Sequence, residues 1–298
     1  MKKKHLCDPD LPALFRAADS ASKTGQRSFL ALVGVDLALL VLGAALSLLG
    51  SGTLGSASSN AVIGAVLLFI GLLVTGGLWL SDFERVWYGA RAVAESVKTL
   101  SWRYVMGAEP YSHSGKLDEV DKRFLADLDE ILKERKHLSW TFGGELANEP
   151  QITEDMRIVR ALGLGDKKTA YVTDRLGEQQ AWYALKSKSH VLWERIWFGA
   201  FFLAQLGAFL SSICAIKSPD KPNYAGVLAA LSSAFLAWIQ ANKFHELAQA
   251  YGLTAHELGL VREKAIHIKS NQDLAVFVSD AENAISREHT MWVARRDR

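Results

Sequence analysis

Residues Ala61 to Tyr104 constrain this chain more than any other stretch. The first part, AVIGAVLLFIGLLVTGGLWL from Ala61 to Leu80, carries no charge. It has the length a helix needs to cross roughly 30 Å of hydrocarbon. The second part, SDFERVWYGARAVAESVKTLSWRY, has no proline, and Gly89 is its only glycine. Its apolar positions recur at Phe83, Val86/Trp87, Ala90, Val93/Ala94, Val97, Leu100 and Tyr104, which is helical spacing for one buried stripe. The sequence therefore predicts one rod about 65–70 Å long, half in lipid and half in water. The same layout returns at Tyr224–Ala265.

Four apolar segments (Ser28–Leu49, Ala61–Leu80, Ile196–Ile216 and Tyr224–Ala241) alternate with charged, helix-forming ones, so the chain is read as all-α and multi-pass. The fold expected is two helical hairpins whose long helices continue into a cytosolic helical bundle. A net charge of +2 argues against nucleic acid as the main partner, which calls for a concentrated basic face. Two cysteines, Cys7 and Cys214, give neither a disulfide framework nor a zinc set. The polar leader through Arg27 is too long for a secretory signal and no cleavage-site pattern follows, so the first apolar segment is expected to stay as an anchor. Lys2, Lys3, Lys4, Arg16, Lys23 and Arg27 precede that segment, and the next loop, SGTLGSASSN, is uncharged. The positive-inside rule places both termini and Ser81–Arg195 in the cytoplasm.

Between the apolar segments the reading is helical throughout. Asp8-Pro-Asp-Leu-Pro starts a helix near Pro12 that runs into the first span. LDEVDKRFLADLDEILKERKHL is amphipathic through Leu117, Val120, Phe124, Leu128 and Ile131/Leu132. ITEDMRIVRAL is a short helix with Thr153 as N-cap, and Asp166 caps a second long rod into the third span. The tail is a last amphipathic helix through Leu274, Phe277, Ala281, Ile285 and Trp292. The domains expected are a two-span module at 1–138, a linker with a short helix at 139–165, and a second two-span module at 166–298.

Several side-chain sets stand out. Asp36 falls near mid-bilayer, where a carboxylate faces protein or water. It is read either as pore-lining or as a packing carboxyl paired with Gln205 of the third span. Small residues recur every fourth position at Ala225, Ala229, Ser233, Ala237 and Ala241, and at Ala200, Ala204, Ala208 and Ser212, a spacing for close helix contact. Trp87, Arg91, Glu95, Lys98 and Trp102 share one face of the first stalk; Tyr171, Arg175, Gln179, Trp182 and Lys186 share one face of the second rod. Such walls suit either a phosphate-bearing ligand or salt bridges and packing inside a bundle, and the bundle is the preferred reading. Catalysis finds no foothold. His245-Glu246 and His256-Glu257 lack the second histidine of a zinc helix, GLGD is too short for a phosphate-binding loop, and no serine elbow occurs, so no cofactor, metal or enzyme activity is expected.

YVTDRLGEQQAWYALKSKSHVLWERIW resembles the start of the SLATT family, the two-transmembrane effector domains associated with SMODS and SLOG proteins, through Tyr171, Arg175, Gln179, Trp182-Tyr183 and Lys186. SREHTMWVARR resembles the same family's end, with Arg287, Glu288 and Trp292. The N-terminal half is similar to a second subfamily, through Trp87, Arg91, Glu95, Lys98 and Trp102-Arg-Tyr. The resemblance implies a membrane effector of bacterial conflict systems that permeabilises the bilayer as a homo-oligomer in antiviral defence. A cytosolic sensor protein or a nucleotide signal would trigger it. The alternative is a non-conducting anchor or scaffold that recruits a cytosolic partner.

The charge asymmetry generates a topology prediction. Reporter fusions at Ser56 and Asp220 are expected to read outside, and a fusion after Gly115 to read cytoplasm. An outside signal after Gly115 would contradict four spans with both termini in.

Overall fold

The computed structural model describes residues 5–48, 57–113, 115–142, 144, 148–218 and 222–296, and their side chains apart from those of 57, 58, 139 and 287–296. Ten α-helices are described and, among the described residues, no strand: α1 (Ala13–Leu48), α2 (Ala57–Leu80), α3 (Phe83–Met106), α4 (Leu117–Glu134), α5 (Glu154–Arg160), α6 (Leu164–Ala170), α7 (Glu178–Lys217), α8 (Ala225–Asn242), α9 (Phe244–Lys264) and α10 (Asn271–Arg296). Four stretches of helix are long and apolar enough to cross a membrane, within Ala13–Leu48, Ser59–Met106, Leu164–Lys217 and Ala225–His267. The chain is an all-α, multi-pass membrane protein. By its contacts it divides into an apolar unit (residues 26–83 and 188–248) and a polar unit (1–25, 84–187 and 249–298).

In the apolar unit, glycine brings α1 and α2 together. A Cβ added at Gly64 would lie 3.0 Å from the Gly43 carbonyl oxygen and 2.9 Å from Ser47 Oγ. One added at Gly43 would lie 2.8 Å from Leu68. Lipid tails are as apolar as leucine side chains, so such close backbone contact, rather than hydrophobic burial, holds helices together there. Trp238 of α8 reaches Gly34 of α1, where a Cβ would be 3.5 Å from its ring. On α7, Ala204 and Ala208 of the small-residue stripe are buried, Ala200 is half-buried and Ser212 is exposed.

The polar unit is an ordinary aqueous bundle by comparison. The stripe of α3 buries Val86, Ala90, Val93, Ala94 and Val97, and α10 buries Leu274, Val278, Ala281 and Ile285 in the same core. Phe124 of α4 packs on Tyr104 and Tyr111, at ring separations of 4.7 Å and 5.5 Å. The α3–α4 connection turns at Gly107, whose φ of +71° is the left-handed conformation that glycine adopts without strain. Thr153 caps α5 by accepting from the Met156 amide at 3.2 Å.

Three local expectations need correction. The Ala61–Tyr104 rod is interrupted at Ser81–Asp82, where neither residue is helical. Ser81 Oγ donates to the Leu78 carbonyl at 3.0 Å, the kind of side-chain bond that competes with the helix ladder. Its counterpart breaks at Lys243, which adopts a left-handed φ of +49° between α8 and α9. Asp166 is not a cap: the helix starts earlier, with Gly163 at the N-cap and Asp166 inside the first turn. There its charge still favours the positive end of the helix. On α4, Leu117 is exposed rather than part of the stripe.

The glycine contacts predict opposite outcomes on one helix. Gly64→Ala is expected to weaken the α1–α2 hairpin by about 1–3 kcal/mol, since the neighbouring carbonyl must give way. Gly76→Ala meets nothing within 4 Å and is expected to be neutral or slightly stabilising. Denaturant titration of each variant in detergent micelles measures this; equal stability of the two would refute the close contact.

Candidate functional site

The second rod is not α-helical all the way. Between α6 and α7 the backbone runs as a π-helix over Tyr171–Gly177. In a π-turn the bond runs from the carbonyl of i to the amide of i+5, so the Val172 carbonyl is directed at residue 177. A Cβ at 177 would lie 3.2 Å from that carbonyl oxygen, and Gly177 has none. The widened turn places Tyr171, Asp174, Arg175 and Leu176 all in buried positions.

Arg175 and Glu282 of α10 form an ion pair in which both side chains are 0% exposed. Arg175 Nε donates to Glu282 Oε1 at 2.9 Å and Nη2 to Oε2 at 2.7 Å, a two-pronged geometry that lysine cannot reproduce. Tyr171 donates its hydroxyl to Oε1 at 3.0 Å, and Thr99 of α3 donates to Oε2 at 2.9 Å. Each carboxylate oxygen thus accepts twice. Burial and the Glu282 charge push the Tyr171 hydroxyl well above its ordinary pKa, so it stays a donor. Burial alone would lower the Arg175 pKa, but the Glu282 carboxylate outweighs it and holds the guanidinium charged. Trp102 covers the group edge-on to Tyr171 at 5.7 Å, and Phe277 does so from α10 at 6.0 Å.

One helical step along, the two aromatic-charged walls meet. Arg91 Nη2 pairs with Glu95 at 2.7 Å, and its guanidinium lies 5.7 Å from the centre of the Trp182 ring. Trp182 and Tyr183 each pack on Tyr251 of α9, at 5.4 Å and 5.6 Å. Lys98 turns to the N-terminal segment and pairs with Asp8 at 2.5 Å. Trp87 is half-buried, and its backbone carbonyl accepts from Ser22 Oγ of α1 at 3.0 Å. Gln179 is half-buried, and exposed Lys186 lies 5.8 Å from the Trp182 ring. Arg91, Glu95, Lys98, Trp102, Tyr171, Arg175 and Trp182 thus make contacts within the bundle, while Lys186 stays exposed. The side chains of Arg287, Glu288 and Trp292 lie outside the described residues.

In the apolar unit the Asp36–Gln205 pairing, one of the two readings of Asp36, is not made. Asp36 accepts from Thr75 of α2 at 2.9 Å, and Gln205 accepts from Ser232 of α8 at 2.9 Å. Each hairpin thus has its own polar tie, because the nearest donor lies on the partner helix of the same hairpin. The tie also sets the rotation of α8. Ser232 is buried at 2% exposure, whereas Ala229 and Ser233 of the small-residue stripe are exposed and Ala225 and Ala237 are half-buried.

Three features escaped the sequence. Glu282 lies on the apolar stripe of α10, four residues after buried Val278, and an acid in that register was the available signal. Asp174 in the π-turn receives His5 Nδ1 at 2.7 Å and the Leu6 amide at 3.2 Å, fastening the N-terminal segment. Lys167 and Arg160, both nearly buried, cluster with His113, and Lys167 Nζ lies 2.8 Å from His113 Nε2. Burial and Arg160 lower the Lys167 pKa to about 8. Burial, Lys167 and Arg160 lower that of His113 to about 4. Among the described residues, no group of three or more His, Cys, Asp or Glu side chains is arranged to hold a metal ion.

The buried pair predicts an asymmetry between single and double substitutions. Arg175→Met is expected to cost about 3–5 kcal/mol, because it strands the Glu282 charge in the core. The double variant Arg175→Met/Glu282→Leu is expected to recover much of that loss. Thermal unfolding of the detergent-solubilised protein measures both; a double variant as unstable as the sum of the two singles would contradict a coupled ion pair.

These elements match known sequence families over nearly the whole chain. Residues 12–168 match the model of SMODS and SLOG-associating 2TM effector domain 3. Residues 171–292 match SMODS and SLOG-associating 2TM effector domain 1. No curated protein and no solved structure matches the chain. The first match ends at Lys168 and the second begins at Tyr171, the first residue of the π-turn. The chain belongs to the SLATT family, with two of its two-transmembrane effector domains in tandem.

Proposed function

We propose that the protein is a membrane effector that permeabilises or depolarises the bacterial inner membrane as an oligomeric pore in antiviral defence. Its trigger comes from the cytosol, as a sensor protein or a nucleotide signal. The positive-inside distribution of Lys and Arg supports a cytoplasmic location for both termini and for the polar unit. The family match supports the effector role.

The observation that carries the pore is how little the spans bury in one chain. Only 6–11% of the residues in the apolar windows of the four spans are buried. Two hairpins of this kind do not enclose an aqueous path, so conduction requires several chains around a shared axis. Asp36 is the ionisable group such an axis would use. It is half-buried, held on one side by Thr75, and set against Gly71, whose Cβ position is 3.7 Å from Oδ1. A ring of Asp36 carboxylates would favour cations. Gln205 provides a second polar position on the other hairpin.

High-level or triggered expression is expected to depolarise the host cell, read with a potential-sensitive dye. In vesicles, the wild-type protein is expected to pass rubidium faster than chloride. Asp36→Asn is expected to insert normally and lose most of that preference, since it removes the charge at nearly constant volume. A protein that oligomerises and leaves membrane potential unchanged would overturn the pore in favour of a non-conducting scaffold.

A further inference from the structure

A short 3-10 turn, Lys136–Thr141, follows α4, and its side chains are divided sharply between inside and outside. Leu138 is 2% exposed and sits on Gly89 of α3, where a Cβ would lie 2.5 Å from the leucine Cδ1. Phe142 is also buried, and Thr141 Oγ1 closes the turn by donating to the Leu138 carbonyl at 2.6 Å. With those groups pinned inward, Trp140 points out and is 73% exposed. Lys136 and His137 are exposed beside it, and Arg135 is half-buried. Across Lys133–Phe142 there are three basic residues (Lys133, Arg135, Lys136) and one acidic residue (Glu134). Lys133 is paired with Asp129.

The chain limits how far this turn can lie from lipid. Gly89 comes nine residues after Leu80, three extended steps to Phe83 and six helical ones beyond, which bounds the separation at about 20 Å. Ser22, bonded to the Trp87 carbonyl, comes six residues before Ser28, where the first apolar segment begins along unbroken α1; that is about 9 Å of helix. The headgroup layer extends about 5–8 Å beyond the hydrocarbon, and the field of anionic lipids reaches a further Debye length of about 8–10 Å. An exposed tryptophan with flanking bases is the composition that settles at that depth. Trp79, 85% exposed at the end of α2, has the same character at the mouth of the span.

We propose that the Lys136–Thr141 turn is a membrane-surface anchor. It lays the Trp140 ring in the headgroup layer of the bilayer that holds the spans, with Lys136 and Arg135 facing anionic headgroups. The anchor ties α4, and through Leu138 and Gly89 also α3, to the lipid surface.

The test uses the full chain with Cys7→Ser and Cys214→Ser, which removes both native thiols. A nitroxide is placed at His137→Cys in the turn or, as reference, at Glu119→Cys on the exposed face of α4. Both proteins are reconstituted in vesicles of phosphatidylglycerol and phosphatidylcholine. The ratio of collisions with oxygen to collisions with a water-soluble nickel chelate is expected to be several-fold higher at 137 than at 119. Adding Trp140→Glu is expected to bring the ratio at 137 down to the reference, and Lys136→Glu to lower it in part. A ratio at 137 equal to that at 119 would overturn the anchor. A high ratio that Trp140→Glu leaves unchanged would also overturn it, since protein rather than lipid would then be shielding the turn.

Discussion

The polar unit depends on one buried ion pair. Arg175 and Glu282 are both withdrawn entirely from solvent, and desolvating two charges costs several kcal/mol each. The geometry offsets that cost by filling every acceptor site on the carboxylate: two bonds from the guanidinium, one from Tyr171 and one from Thr99. The pair consequently specifies more than it stabilises. The four donors come from α3 and from the π-turn, so the carboxylate joins α10 to both. The π-turn is the other half of this arrangement, because it sets Tyr171 and Arg175 where both reach the same carboxylate. Asp174 in the same turn fastens residues 5 and 6, so the N-terminal segment, the second rod and α10 converge on seven residues of backbone.

In the apolar unit the physics is different. Helices in lipid gain little from covering apolar surface, so they associate where side chains are absent or where a polar group finds a partner. Gly43 and Gly64 provide the first kind of contact in the α1–α2 hairpin. Asp36 with Thr75 in one hairpin and Gln205 with Ser232 in the other are contacts of the second kind. Only 6–11% of the residues in the apolar windows of the spans are buried, so most of that surface is left open to lipid or to further copies of the chain.

The spans were legible because hydropathy and length are properties of the sequence alone, and the tandem family layout was legible from Tyr171, Arg175 and Trp182 on one rod and Trp87, Arg91 and Trp102 on the other. Where the rods break was not legible. Ser81–Asp82 and Lys243 interrupt them through local bonding and a left-handed backbone that apolar periodicity does not register. On α8, small residues at every fourth position mark a face without saying which neighbour it meets: Ala229 and Ser233 are exposed in the single chain, and the bond from Ser232 to Gln205 sets the side that meets α7. Arg175 was visible as a charged residue in a motif. Its partner Glu282 is 107 residues away, and a pair so distant is set by the tertiary fold.

The proposed pore requires that these spans, weakly packed within one chain, assemble into a conducting path. Single-channel recording of the purified protein in planar bilayers tests this most directly. An oligomeric pore is expected to give discrete conductance steps whose frequency rises more steeply than linearly with protein density and whose reversal potential favours cations. A bilayer that stays electrically silent at densities where the protein is demonstrably inserted and oligomeric would contradict it.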